Sequence, residues 1–257
     1  MYIVYLRFFG ASRADELKWQ SSCARIRGVM VIAQSFGRWN GFVAVWARNP
    51  GQLESVITEI SQSMAGKIEE MQITTRLNSH YATLSILHDS TQKICRSLST
   101  TSSESTLDQK DYKILRCLAD DARISAASIS EKISLSPTAV ISRIQKLEER
   151  KIINGYRAMF KYSKLGYTQF SVLFKLVQPS SALCNKIMKG LFETGCVHLV
   201  TRYLGFADFD ARCYARSLEE LDSLIAGIRD KFVNDILQFE IVPLLSMRYV
   251  DHLPIGQ

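Results

Sequence analysis

One span of this sequence occurs twice. Residues 29–81 and 197–249 align without a gap at a constant offset of 168, with identical residues at Val29/Val197, Gly37/Gly205, Ala47/Ala215, Arg48/Arg216, Leu53/Leu221, Ser55/Ser223, Ile57/Ile225, Ile60/Ile228, Ile68/Ile236, Ile73/Ile241, Leu77/Leu245 and Tyr81/Tyr249. At the same offset the apolar stretch Tyr2 to Phe8 falls on Phe170 to Leu176. A duplication binds both copies to one fold, because each shared apolar position must find a core in both places.

Within each copy the pattern is the same. Val29 to Phe36 reads as a strand, Gly37-Arg-Trp-Asn-Gly41 as a hairpin turn and Phe42 to Ala47 as a second strand, matched by Val197 to Leu204, Gly205-Phe-Ala-Asp208 and Phe209 to Ala215. A helix follows, since Leu53, Val56, Ile57 and Ile60, and again Leu221, Leu224, Ile225 and Ile228, recur at i, i+3, i+4, i+7. Leu183, Ile187 and Leu191 mark a helix ahead of the second hairpin, and Ile236 to Val242 a closing strand. The order is βαββαβ, a ferredoxin-like unit with both helices on one face of an antiparallel sheet.

The other face of that sheet also needs cover. Val29-Met30-Val31-Ile32 and Phe42-Val43-Ala44-Val45-Trp46 are apolar on both sides, whereas a strand with one wet face alternates. A second such sheet is the expected cover, from the sister repeat or from another chain. Arg212 and Tyr214 interrupt the pattern and make the open face of the second copy the wetter one.

At 257 residues the chain holds more than one domain, and 47% apolar with 22% charged residues excludes wholesale disorder. Its +7 charge points to a polyanionic partner; residues 168–257 carry 9 basic and 10 acidic residues, so the positive field belongs to the rest. There is no run of 18 apolar residues and no signal peptide at the start, which predicts a cytoplasmic chain without membrane contact. Cys23, Cys95, Cys117, Cys184, Cys196 and Cys213 lack ligand or disulfide spacing and read as reduced, mostly buried thiols; no metal or cofactor is implied.

Between the copies, Arg96 to Thr106 is a Ser/Thr tract without periodicity, read as a tether within a linker at 89–106. Residues 107–165 then give three short helices. Asp108 caps the first, with a stripe of Ile114, Leu115 and Leu118; Ser125 caps the second, with Ile129 and Ile133; Ser136 and Pro137 open a third that runs to about Arg150. At 100° per residue Val140, Ile141, Ile144 and Leu147 of the third helix share the inward face, while Thr138, Ser142, Gln145 and Lys146 point away with Arg143 at the border.

Short hydroxyls let a helix approach base edges closely, an arginine such as Arg143 bridges guanine O6 and N7, and Gln145 pairs with adenine. Lys146, Arg150, Lys151 and Arg157 would contact phosphates, as would the amides at the Ser136 end, and Arg123 and Ser125 join this surface. A solvated face of a small helical bundle is the bland alternative.

The runs Leu107-Asp108-Gln-Lys-Asp111-Tyr-Lys-Ile114-Leu115, Asp121-Ala-Arg123-Ile-Ser125, Leu135-Ser136-Pro137-Thr138, Arg143-Ile144-Gln-Lys-Leu147-Glu148, Ile152-Ile153-Asn-Gly155-Tyr156 and Lys164-Leu165-Gly166-Tyr167 closely resemble the Lrp/AsnC (feast/famine) family of transcriptional regulators. The resemblance implies a helix-turn-helix followed by a βαββαβ effector-sensing domain, and so a sequence-specific binder of double-stranded DNA rather than an enzyme. The fold class that results is α+β, two ferredoxin-like, RAM-like domains at 1–88 and 166–257 flanking a winged helix-turn-helix at 107–165. The extra first copy departs from the family. Sheet-to-sheet pairing would make either a pseudodimer within one chain or a pairing of each copy between chains, and in both cases a homodimer or higher homo-oligomer is expected, with two recognition helices about one DNA turn or a multiple apart.

The turn Gly205 to Asp208 matches the family's Gly-x-x-Asp loop, which resembles part of an amino-acid effector site; its bland reading is hairpin chemistry. The first copy has Gly37 and Asn40 there, an amide without the charge. His80, His88, His198 and His252 show no catalytic spacing. Two alternatives remain: a sirohaem-decarboxylase-like enzyme of the same build using His198, Arg202 and Tyr203, and a metabolite-sensing module that binds no DNA.

Overall fold

A computed structural model of the chain describes residues 1–82, 96–99, 107–156, 158, 160–251 and 253. Most of the linker at 89–106, together with Cys95, His88, Arg157 and His252, lies outside these residues. The fold mixes helices and strands in the order β1 (Tyr2–Phe8), α1 (Arg13–Cys23), β2 (Val29–Ser35), β3 (Gly41–Val45), α2 (Pro50–Gln62), β4 (Ile68–Tyr81), β5 (Arg96–Ser99), α3 (Gln109–Asp120), α4 (Ala126–Ile133), α5 (Pro137–Glu149), β6 (Thr168–Leu176), α6 (Ser181–Glu193), β7 (Val197–Gly205), β8 (Phe209–Ala215), α7 (Leu218–Lys231) and β9 (Ile236–Tyr249). The bounds of β4 recur in β9 at an offset of 168, so the duplication is one of structure as well as sequence.

Two compact units result, Met1–Thr100 with Lys161–Arg248, and Thr101–Phe160 with Tyr249–Gln257. The expected helical segment ended at 165, but the short 3-10 turn Tyr162–Leu165 groups with the strands, where Tyr162 stacks on Tyr214 with ring centroids 3.8 Å apart.

In the first unit the strands run in the order β1-β3-β2-β9-β6-β8-β7-β4-β5, and β1 also pairs with β4. That extra pairing closes the circuit. β4 lies beside β1 through Ile68 to Thr75 and then beside β7 through Thr74 to Tyr81, so each long strand belongs first to its own repeat and then to the sister repeat. The sequence left open whether the copies pair within one chain or between two; here they pair within one.

The helix side of the second repeat is packed by Phe170, Val172, Phe174, Ile187, Leu191, Val197, Phe209, Ile225 and Phe232. Its other side meets the first repeat. Ile3, Tyr5, Ala33, Trp39, Phe42 and Ala44 pack against Leu173, Tyr203, Ala207, Val242 and Leu244. The rings of Tyr5, Trp39, Phe42 and Phe206 form one cluster, with Tyr5 to Phe206 edge-on at 5.2 Å and Tyr5 to Phe42 at 5.4 Å. A fully buried large side chain of this kind contributes about 1.5–3 kcal/mol.

Arg212 and Tyr214 do not make this face wet. Both are buried, at 9% and 4% exposure: Tyr214 is covered by Tyr162 and His198 and its hydroxyl accepts from Gln169, and Arg212 finds its partners in the contact between the repeats. The Arg212 guanidinium lies 5.2 Å from the Phe42 ring of the other repeat, and its Nε is 3.6 Å from Asp210, which also accepts from the Ser171 and Tyr203 hydroxyls. Buried charge is tolerated where it is paired in this way.

Trp39 of the expected hairpin turn is 1% exposed, because the hairpin folds its indole into the interface. Arg96 to Thr106, read as structureless, begins with β5, which pairs antiparallel with Asn78 to Tyr81. β4 extends past the end of β1 and leaves backbone groups there for another strand to meet. Of the cysteines, Cys23, Cys184 and Cys213 are buried and Cys117 and Cys196 half-buried, all as free thiols. No described helix is long and apolar enough to cross a membrane.

Gly205 sits where the repeats join. Its φ is +150°, and a Cβ there would stand 2.8 Å from the Ile73 carbonyl oxygen and 3.1 Å from Thr74. Gly205→Ala is therefore expected to destabilise the chain by about 1–3 kcal/mol in denaturant titration. Gly10→Ala, with no atom within 4 Å of its added Cβ, is expected to cost less.

Candidate nucleic-acid interface

The second unit is seated by Ile114 of α3, Ile129 and Ile133 of α4, and Val140 and Leu147 of α5, with Ile144, Ile152 and Ile153 packed around them. Each helix begins with a side-chain cap. Asp108 accepts from the Asp111 amide, Ser125 from Ser128 and Ser136 from Ala139. Between α4 and α5 only Ser134, Leu135 and Ser136 intervene, and Ser134 takes the left-handed conformation at φ 55°. With Pro137 at its first position α5 starts at once, so α4 and α5 form a helix, a tight turn and a helix.

The outward face of α5 is polar for the most part. Thr138, Ser142, Gln145 and Lys146 are exposed, as are Arg123, Ser125, Ser136 and Lys151. The Ser136 and Ser125 caps use an oxygen lone pair to accept the amide. Arg123 donates its own amide to the Asp121 carboxylate, which holds the short connection into α4. Lys151 also adopts the left-handed region, φ 57°, closing the end of α5 where Ile152 and Ile153 donate back to Leu147.

Two assignments on this helix change. Arg143, expected to bridge a guanine, instead lies 2.7 Å from both Asp108 Oδ2 and Asp111 Oδ1. Its guanidinium closes over the capping box of α3, because at the border of the α5 face it reaches back to two carboxylates 32 and 35 residues upstream. The backbone amide of Asp111, and then Arg143, hold the Asp108 carboxyl below its usual value. Ile141, expected on the inward face, is 48% exposed. Val140, Ile144 and Leu147 already fill the core, and one residue of helical rotation carries position 141 round to the outside.

At the Gly-x-x-Asp loop, Asp208 Oδ2 accepts from the Leu176 amide at 2.8 Å and Oδ1 lies 3.2 Å from Lys175 Nζ. Lys175 also donates to the Gly205 carbonyl at 3.1 Å. In the first repeat Asn40 Oδ1 accepts from the Phe8 amide at 2.6 Å, the same bond at the same offset. The side chain at this position therefore ties the hairpin to the end of the neighbouring strand, a task for which an amide serves as well as a carboxylate. An intramolecular ammonium, that of Lys175, faces the one charged copy.

His198 and Tyr203 are engaged by different partners. The Tyr203 hydroxyl is buried against Asp210 in the interface, whereas His198 Nδ1 is 3.0 Å from the Arg212 carbonyl and its ring is 4.7 Å from Tyr214. A groove of about 440 Å³ between α6 and α7, lined by Gly190, Thr194, Cys196, Gly227, Lys231 and Phe232 among others, contains none of His198, Arg202 and Tyr203. What sequence reasoning missed was the Arg143 ion pair; the charge complementarity of Asp108, Asp111 and Arg143 was visible, but their proximity was not.

Three substitutions follow from these contacts. Arg143→Ala is expected to lower the melting temperature slightly in a thermal melt, through loss of its pairs with Asp108 and Asp111. Part of the contribution from Asp108 is present above about pH 4, the unfolded value, and is lost as pH falls through the lowered folded value, so acid should narrow the gap between wild type and the variant. Asp208→Asn should leave stability within about 0.5 kcal/mol, as Asn40 does the same task, whereas Asp208→Ala strands the Leu176 amide and should cost about 1 kcal/mol.

Comparison with known proteins agrees with this geometry. An AsnC-type helix-turn-helix domain matches residues 107–148. The leucine-responsive regulatory protein of Rhizobium meliloti is 32% identical over 120 residues, 46% of this chain and 77% of that protein. The transcriptional regulator Ptr1 of Methanocaldococcus jannaschii is 33% identical over 127 residues, 49% of this chain and 81% of its own. The crystal structure of PH0061 is similar in fold, with a TM-score of 0.51 at 19% identity, covering 57% of this chain and 98% of that one. Each relative thus accounts for about half of this chain and for three quarters or more of itself. The chain belongs to the Lrp/AsnC family of transcriptional regulators.

Proposed function

We propose that the chain is a sequence-specific, double-stranded-DNA-binding regulator of transcription in which α5 enters the major groove. The observation that carries this reading is the division of α5 into an inward apolar face, Val140, Ile144 and Leu147, and an outward face of short polar side chains, Thr138, Ser142 and Gln145, directly after a capped tight turn. Hydroxyls and an amide at this spacing suit base edges, and Arg123, Ser125, Ser136, Lys146 and Lys151 suit phosphates around them. Arg143 serves the reading head by holding α3 against α5.

The proposed layout is a RAM-like domain at 1–88, a linker at 89–106, the reading domain at 107–165 and a second RAM-like domain at 166–257. The RAM-like pair is proposed to sense a small molecule such as an amino acid. If Gly205 and Asp208 serve that role, the ligand ammonium must displace Lys175 from Asp208. Asp208→Asn separates the two roles, since it would abolish ligand binding and keep the hairpin bond. Reading of two half-sites is proposed to take two chains. The sheet faces are already used within one chain, so such a homodimer would be held by another surface. The relatives are named as regulators, which supports regulation over catalysis.

Selection of bound duplexes from a random library tests the reading, and the recovered sites show by their symmetry whether one or two heads engage. Lys146→Ala and Lys151→Ala are each expected to weaken all recovered sequences alike and to reduce the slope of log affinity against log salt by about 0.9. Absence of any retained duplex at low salt would overturn the proposal.

A further inference from the structure

We infer that Ile141 is a specificity-determining residue of the reading head and that it recognises the C5 methyl group of a thymine in the major groove. The inference rests on the DNA-binding reading above and deepens it.

Three observations converge on this side chain. First, Ile141 is 48% exposed, and it is absent from the cluster that packs the unit, where Val140 and Leu147 are buried with Ile144 beside them. Second, it stands between Thr138 and Gln145 at i, i+3, i+7, on the exposed face and within the first two turns of α5, the part that a helix-turn-helix lays against base edges. Third, Arg143, the residue on α5 best suited to reading guanine, is held by Asp108 and Asp111 at 2.7 Å. Thr138, Ser142 and Gln145 carry the hydrogen-bonding groups of this exposed face, and Ile141 is the aliphatic side chain among them.

The chemistry of the groove then selects the partner. In the major groove the four bases differ in donors and acceptors, but thymine alone presents a methyl group. A branched aliphatic side chain set among hydroxyls and an amide has one complementary feature to meet there, and contact removes apolar area of both groups from water. A cytosine at that position offers a donor that Ile141 leaves without a protein acceptor, so the residue discriminates by what it fails to satisfy as well as by what it covers.

Deoxyuridine differs from thymidine only by that methyl group, which makes the test atomic. Thymines of a duplex recovered by library selection are replaced one at a time by deoxyuridine, and affinity is measured for the full chain and for Ile141→Ala. At one thymine per half-site, or two adjacent ones, the replacement should weaken the wild-type chain by about 3- to 10-fold and leave Ile141→Ala unchanged. Ile141 lies outside the core, so a melt of Ile141→Ala should match wild type, and Ile141→Val should restore the sensitivity in part. A wild-type chain that binds the duplex but ignores every replacement, or an Ile141→Ala variant that loses as much as wild type, overturns the inference while the DNA-binding reading stands. Failure to recover any duplex overturns both.

Discussion

The first unit depends on one contact, the face-to-face packing of two sheets contributed by a single chain. Without it each repeat exposes a surface of Ile3, Tyr5, Trp39, Phe42 and Ala44, or of Leu173, Tyr203, Val242 and Leu244, which water does not tolerate. Other features of the unit serve the contact. β4 and β9 are long because each spans both repeats; the Trp39 hairpin folds inward; Asp210 and Arg212 are buried as a pair, with a hydroxyl on either side of the carboxylate. The charges lie on the second repeat and the aromatic rings lie largely on the first, so the two faces are complementary rather than identical. Pairing of unlike faces favours the sister repeat over a copy of the same repeat.

An internal pairing of this kind changes what the chain brings to DNA. The two repeats occupy one chain that carries one described reading head, and the apolar faces around Tyr5 and Leu173 are spent on each other. The head is organised independently of that contact, by its own core and by an electrostatic clasp at its base, where Arg143 bridges two carboxylates of the α3 cap. The clasp gives Arg143 a structural task at the foot of α3 and α5.

Legibility of the fold followed the strength of each local signal. The helices α2, α5, α6 and α7 were readable because their apolar residues recur at helical spacing, and the strands flanking Gly37 and Gly205 because β-branched and aromatic runs stop at turn formers. α1 was not readable by itself, since it buries only Trp19 and Cys23 and leaves Leu17 half exposed. Its position is nevertheless implied by α6 at the same offset. β5 had no pattern to show, because a strand added to an edge is held by backbone groups that any residue carries. Of the candidate site, exposure of the hydroxyl-bearing face was readable from helical phase, but phase alone misplaced Ile141 at the edge of the apolar stripe.

Sequence by itself determined the repeat, the two element patterns, the capped tight turn and the family, because all of these depend on residues near one another along the chain or on comparison of one span with another. Only tertiary structure decided which surface covers the second face of each sheet, that Arg212 and Tyr214 are interior, that Arg143 is bound to Asp108 and Asp111, and that Asp208 is engaged by Leu176 and Lys175. The physical reason is distance. Burial and ion pairing join groups as far as 202 residues apart, and a charge or an apolar side chain carries no mark of the partner it will meet.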